Sequence, residues 1–156
     1  MTKTLNGKSL TKSPHHLLKR AAQHAANIYA TSNGRAGLTQ RQYTLLQAVD
    51  HNEGVSQSDL VRITGIDRST LADLVARLMT QGYLQRRRTR EDGRTNSVRL
   101  TASGRRMLKA AEPSAGDVDK QLLAAIPARY RKGFLEGLTI LASLTDGEDA
   151  REARAA

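Results

Sequence analysis

The stretch GIDRSTLADLVARL at residues 65–78 combines the apolar spacing of a packed helix with a polar first turn. Its apolar residues recur at helical intervals, at Leu71, Leu74, Val75 and Leu78. Asp67 is a residue type that caps helix N-termini, and Gly82 suits the end of the helix. The three residues after the cap, Arg68, Ser69 and Thr70, are built for hydrogen bonding, which raises the question of what they contact.

A second helix is predicted immediately before this one. Ser56 and Asp59 form a capping-box pattern, and Thr64-Gly65 ends the segment, so we expect a short helix over residues 56–63. Two helices joined by a tight turn predict a helix-turn-helix, in which the start of the second helix lies against base edges. Arg68 can reach a phosphate or a guanine. Taken alone, the polar start is more typical of an ordinary helix cap than of a DNA contact.

A basic hairpin is predicted directly after the second helix. Residues 83–89 and 97–101 have strand character and are separated by REDGRTN, a polar turn that contains Asp-Gly. Its arginines cluster around the turn, at Arg86, Arg87, Arg88, Arg90 and Arg94. An arginine on a protruding turn can enter a minor groove, whereas a merely solvated basic strand would not explain the turn.

Further helices are predicted on both sides of this unit. The periodicity predicts helices over residues 14–31 and 39–52, with Thr39 as an N-cap, and over 101–116 and 117–144, interrupted near Pro127. Residues 1–13 read as a flexible basic arm, and residues 145–156 as a polar tail that frays.

The composition favours a single domain with a polyanionic partner. The 156 residues suffice for one core, and 25 Lys and Arg against 15 Asp and Glu give a formal net charge of +10. Aromatic residues make up 3%, which disfavours a platform for stacked single-stranded bases, so duplex DNA is the better candidate. No apolar run approaches the ~18 residues that span a bilayer, and we expect a cytoplasmic protein without a membrane partner.

The runs LTQRQYTLLQAV, GVSQSDLVRITGIDRSTLADLVARLMTQGYLQRR and REDGRTNSVRLTASG together resemble the MarR family of winged helix-turn-helix regulators. The resemblance is close over residues 38–104. It implies a mainly α fold with a small β-hairpin wing, in which 14–144 form one unit. Within that unit, 38–101 are the winged DNA-binding module, and 14–37 and 102–144 are dimerisation helices.

The resemblance also implies a homodimer that binds a pseudo-palindromic operator and represses until a small ligand releases it. The apolar stripes of residues 14–31 and 118–144 point the same way, because a nearly self-sufficient winged module leaves them without a partner. By the family pattern, Asp92 and Arg94 lie in the wing, and Arg94 probes the minor groove. The expected DNA contacts are Arg68, Ser69, Thr70, Asp73, Arg77, Arg86, Arg88, Arg90, Asp92 and Arg94.

By the same resemblance, the effector is a small aromatic or phenolic acid, bound where the dimer helices meet the winged module. Arg41 can pair with a carboxylate, and Tyr29 and Tyr43 offer flat walls with hydroxyls. His24 can hydrogen-bond a ring substituent, and His15 is a weaker candidate. Ordinary core packing of both tyrosines and a solvated Arg41 remain open.

Other functional classes have less support. The sequence lacks the nucleophile-elbow, phosphate-loop and zinc-protease motifs and has no cysteine, so neither catalysis nor a cofactor is expected. His16 and His24 lie eight residues apart, too far to share a metal ion unaided. A nonspecific or architectural duplex-DNA binder is the main alternative, and competitor-DNA titration separates it from a specific regulator.

Overall fold

The computed structural model describes residues 10–32, 37–88 and 96–155, and side chains within 10–32, 37–86 and 97–144. A short 3-10 turn, Leu10–Lys12, precedes the first helix. The elements that follow are α1 (Pro14–Ser32), α2 (Gln40–His51), α3 (Gln57–Thr64), α4 (Arg68–Thr80), β1 (Leu84–Arg88), β2 (Asn96–Leu100), α5 (Ala102–Ala124) and α6 (Ala128–Ala155). This order confirms the predicted fold class, which is mainly α with a β-hairpin.

The core lies where α2, α3, α4, the hairpin and α5 converge. Its most deeply buried side chains are apolar, namely Leu45, Leu46, Leu60, Leu71, Leu78, Val49, Val75 and Val98. Burial of each such side chain contributes roughly 1.5–3 kcal/mol to folding. This packing fixes α4 against the rest of the module, with the side opposite Leu71 and Leu78 left exposed.

Side-chain caps set the starts of four helices. Thr39 and Gln42 form a full capping box on α2, and the Ser56 hydroxyl accepts from the Asp59 amide at 3.1 Å on α3. Asp67 caps α4, and Thr101 caps α5 by accepting from the amide of Gly104. The sequence predicts the first three caps. It places Thr101 both at the end of the second strand and at the start of the next helix without naming it as a cap, and β2 stops one residue earlier, at Leu100.

The hairpin is antiparallel and anchored at its base. Its register pairs Leu84 with Leu100 and Arg88 with Asn96, and an isolated bridge joins Val55 to Val98. The Val98 amide donates to the Val55 carbonyl at 2.9 Å. The turn predicted at the tip lies outside the described residues.

Helix α5 begins against the hairpin and runs on without the predicted boundary at Gly116. A Cβ added to Gly104 would clash with the carbonyl oxygen of Tyr83, so this position requires glycine. Beyond it, α5 continues through Pro113 and Gly116 to Ala124. Burial of Ala111 and Val118 on either side of these residues offsets their low helix propensity.

Helix α6 lies largely outside the core. None of its side chains described from Ala128 to Leu144 is buried. Its large exposed apolar residues are Tyr130, Leu135, Ile140, Leu141 and Leu144. The helix continues to Ala155, beyond the boundary predicted at residue 144. The Ala, Glu and Arg residues of this segment have high helix propensity, which explains the extension.

Candidate nucleic-acid interface

A tight turn carries the chain from α3 to the start of α4. Gly65 adopts a left-handed conformation with φ of 65°, and its amide donates to the Val61 carbonyl at 2.9 Å. The Thr64 hydroxyl donates to the Leu60 carbonyl at 2.6 Å, which closes the last turn of α3. A residue with a Cβ would be strained at Gly65, so the turn depends on glycine. The geometry is that of a helix-turn-helix.

Asp67 organises the first turn of α4. Its carboxylate accepts from the Thr70 amide at 2.9 Å and from the Ser69 hydroxyl at 3.0 Å. Hydrogen bonds from Thr70, followed by that from Ser69, lower the pKa of Asp67 to about 2. The carboxylate therefore stays charged at neutral pH. Because the Ser69 hydroxyl donates its proton to this carboxylate, the lone pairs of the Ser69 oxygen are available to accept from a partner. The Arg68 side chain forms no such hydrogen bond within the described part of the chain, and it is exposed.

The exposed ridge of α4 presents short side chains. Four positions on the side away from the core are exposed, namely Ser69, Ala72, Asp73 and Ala76. Arg68 and Arg77 lie on the two flanks of this ridge, because successive residues turn by about 100° around a helix axis. Short side chains allow the helix backbone to approach a partner closely, with Asp73 as an acceptor near the middle.

A groove runs along each flank of α4. The α2–α4 groove has a volume of about 530 Å³ and is lined by Thr39, Gln40, Arg41, Thr70, Asp73, Leu74 and Arg77. The α3–α4 groove has a volume of about 280 Å³ and is lined by Gln57, Ser58, Val61, Arg68, Leu71 and Ala72. Five of the predicted DNA-contacting residues, those on α4, therefore lie on one surface.

The hairpin adds Arg86 beside this surface. Its guanidinium donates to the Gln57 side-chain carbonyl at 3.4 Å, which links β1 to the start of α3. Arg88 ends β1, so its backbone is placed in the hairpin. The predicted wing contacts Arg90, Asp92 and Arg94 lie outside the described residues and remain predictions.

The tyrosines of the predicted effector site belong to the core. Tyr29 is 6% exposed and donates to the Leu38 carbonyl at 3.4 Å. Tyr43 is 9% exposed and its hydroxyl accepts from the Gln47 side-chain amide at 3.4 Å. Burial, with added repulsion from Glu112 and Asp119, raises the pKa of Tyr43. Its hydroxyl therefore remains protonated and can donate a hydrogen bond at neutral pH.

The other predicted effector residues, Arg41, His15 and His24, are exposed. Arg41 lies two residues before Tyr43, so the two side chains leave α2 about 200° apart. Arg41 instead lines the α2–α4 groove. His15 and His24 are exposed on α1. Their participation in one effector site remains a prediction.

Comparison with known proteins identifies the family. A profile of the MarR family matches residues 36–95, from just before α2 to the hairpin. The transcriptional regulator HosA of Escherichia coli O127:H6 is 30% identical over 125 residues, which cover 80% of this chain and 90% of that protein. This chain belongs to the MarR family of transcriptional regulators. The resemblance stated from the sequence is confirmed.

Solved structures of MarR-family proteins have the same fold. The PcaV regulator of Streptomyces coelicolor, in complex with its natural ligand, has a TM-score of 0.78 and 29% identity, covering 86% of this chain and 94% of that one. BpsR of Bordetella bronchiseptica, whose DNA binding is regulated by 6-hydroxynicotinic acid, has a TM-score of 0.79 and 25% identity, covering 85% and 94%. None of the helices in the described part of the chain combines the length and the hydropathy of a membrane-spanning segment.

Four polar residues at this MarR-family surface were not predicted from the sequence. Thr39 and Gln40 line one groove beside α4, and Gln57 and Ser58 line the other. All four lie at the starts of α2 and α3, whose N-caps, Thr39 and Ser56, are predicted from the sequence. That signal could have identified them, because amides and hydroxyls at helix starts are common donors to DNA phosphates.

Proposed function

We propose that this MarR-family protein is a repressor that binds a pseudo-palindromic DNA operator as a homodimer and is released by a small aromatic acid. The observation that carries the proposal is the exposed start of α4, where Ser69 lies on the ridge between the two grooves and Arg68 lines one of them. An α-helix of ~10–12 Å diameter fits a major groove about 12 Å wide. We infer that the protein acts in the cytoplasm, where such an operator would be.

Homodimerisation is supported by the apolar surface that one chain leaves exposed. On α6, Leu141 and Leu144 are 53% and 61% exposed, and on α1 Leu17 and Leu18 are 50% and 47% exposed. A monomer would keep this surface in water, whereas two-fold pairing removes it from water in both copies at once. Two-fold symmetry of the protein then matches a pseudo-palindromic operator.

The aromatic-acid effector is supported by the MarR-family relatives and by residues of α1 and α2. BpsR responds to 6-hydroxynicotinic acid, and PcaV was solved with its natural ligand. In this chain, the protonated hydroxyl of Tyr43 can donate to such a ligand, and His24 on α1 can hydrogen-bond a ring substituent. Release requires that the ligand bind the DNA-free arrangement more tightly than the DNA-bound one.

Replacement of Ser69 and Thr70 by alanine is expected to reduce discrimination rather than overall affinity. Base contacts specify sequence, and each mismatched base pair in a site typically costs about 1–3 kcal/mol. We therefore expect the ratio of operator to random-DNA affinity to fall about tenfold or more. The operator would first be selected from random duplexes, and affinities measured by fluorescence anisotropy at fixed salt.

Thr80→Ala is the matched control for this pair, because Thr80 is an exposed hydroxyl in the last turn of α4 that bonds only the Ala76 carbonyl in the described chain. It should leave the affinity ratio unchanged. Equal losses on operator and random DNA in the double variant would contradict a base-reading role for Ser69 and Thr70.

A nonspecific duplex-DNA binder is the second candidate, favoured by the net charge of +10. Such a protein would bind every duplex with similar, strongly salt-dependent affinity. The selection experiment distinguishes the two functions, because a specific regulator enriches one sequence family and a nonspecific binder enriches none.

A panel of hydroxybenzoates, cinnamates and pyridine carboxylates is expected to contain a compound that raises the Tm and releases the operator. Ligand binding to the folded state raises stability by mass action. Tyr43→Phe should weaken both effects, because it removes one hydroxyl and leaves the ring in the core. Release of DNA by neutral compounds alone would show that the effector is not an acid.

A further inference from the structure

The α2–α4 groove has the wrong lining for an aromatic effector. Leu74 is its one apolar side chain, and its described lining contains no aromatic residue. Small-molecule sites are predominantly apolar, with a few polar groups that orient the ligand. Here polar and charged side chains dominate, and two helices each contribute an arginine, Arg41 and Arg77. Such a lining suits a charged, hydrated partner.

Both arginines are available for binding. Each is exposed, and within the part of the chain that the structure describes neither forms an ion pair. Asp73, one turn before Arg77, does not pair with it there. By contrast, Arg62 pairs with Asp59 at 2.8 Å and Arg105 with Asp50 at 3.2 Å. The two guanidinium groups outnumber the single carboxylate, so the groove carries a net positive charge.

The position of the groove follows from the proposed docking of α4. A helix of ~10–12 Å diameter nearly fills a major groove about 12 Å wide, so each flank of the helix lies against a sugar-phosphate strand. On one flank are Arg68 and the start of α3, and on the other are Arg77 and the start of α2. Thr70, Asp73 and Arg77 belong both to α4 and to the α2–α4 groove, so the two surfaces are continuous.

We propose that the α2–α4 groove binds the sugar-phosphate backbone of one DNA strand, with Arg41 and Arg77 neutralising phosphates. The proposal rests on the proposed DNA-binding function and assigns Arg41 to DNA rather than to the effector. Arg41 then holds the strand that borders this flank of α4 while Ser69 reads the bases. Its contribution is independent of sequence, because phosphates are the same at every base pair.

The test measures salt dependence with Arg41→Gln, Arg77→Gln and the double variant. The slope of log affinity against log salt decreases by about 0.9 for each phosphate that is no longer neutralised. We expect a decrease of about 0.9 in each single variant and about 1.8 in the double variant. The decrease should be the same on operator and random duplexes, with an unchanged affinity ratio. Arg41→Lys should retain most of the slope, because lysine keeps the point charge.

Arg106→Gln is the charge-matched control, since Arg106 is an exposed residue of α5 outside both grooves. The slope of log affinity against log salt for this variant should equal that of the unmodified protein. A double variant with an unchanged slope overturns the groove assignment while leaving the DNA-binding function intact. If Arg41→Gln abolished the response to aromatic acids and left the salt slope unchanged, Arg41 would belong to the effector site. That result would also overturn the groove assignment. Absence of DNA binding by the unmodified protein would instead overturn the proposed function.

Discussion

Replacement of Leu141 and Leu144 by glutamate is expected to convert the proposed homodimer to a monomer and to lower operator affinity by about a hundredfold or more. Both leucines are exposed in the single chain and lie on the apolar side of α6. Each contributes roughly 1.5–3 kcal/mol when buried, and a glutamate in its place would bring an unpaired charge into the interface. Light scattering coupled to size exclusion gives the mass, and anisotropy gives the affinity.

Thr139→Glu with Ser143→Glu is the matched control for the leucine pair. These residues lie on the opposite side of α6, and their hydroxyls bond backbone carbonyls of their own helix, at Leu135 and Ile140. The control adds the same two negative charges, so its effect on DNA affinity isolates electrostatics from dimerisation. A leucine variant that remains dimeric, or a control variant that becomes monomeric, would contradict the proposed interface.

Gly104→Ala is expected to destabilise the fold, because the new Cβ would clash with the carbonyl oxygen of Tyr83. That oxygen also accepts from the Thr101 amide at 3.0 Å, so it is not free to move. Overpacking of this kind lowers the free energy of unfolding by about 1–3 kcal/mol, and occasionally more. In a chain of this size, each kcal/mol lowers the Tm by about 2–4 °C, which calorimetry detects.

Gly116→Ala provides a control of opposite sign in the same helix. Nothing lies within 4 Å of a Cβ built there, and the residue is inside α5. Alanine should therefore raise stability by about 0.5–1 kcal/mol through its higher helix propensity. An increase in Tm for both variants would show that α5 does not press against Tyr83.

Helix starts are predictable from the sequence because capping is local chemistry. The bonds from Thr39, Ser56 and Asp67 each span three residues, so the pattern of residue types contains the necessary information. The exposed side of α4 is predictable for a related reason, because apolar spacing marks the buried side of the helix. The family resemblance adds the fold class, which the structure confirms.

The placement of Arg41 is not predictable, because it depends on where the fold puts the start of α2 relative to α4 rather than on neighbours in sequence. The same holds for Gly104, whose requirement arises from contact with Tyr83, twenty-one residues earlier. The unbroken course of α5 escapes prediction because Pro113 and Gly116 are helix breakers on local criteria. Tertiary burial of Ala111 and Val118 overrides that preference.

The bridge between Val55 and Val98 holds the base of the hairpin against the helix-turn-helix. Val55 belongs to the segment that leads into α3, so the bridge joins that segment to β2. The strand register then places Arg88 opposite Asn96 at the outer end of both strands. The two strand ends that flank residues 89–95 are therefore held by the same frame that holds α4. We therefore expect that residues 89–95 can be exchanged without moving the strand ends relative to α4, so that this connection can vary independently of the helix-turn-helix.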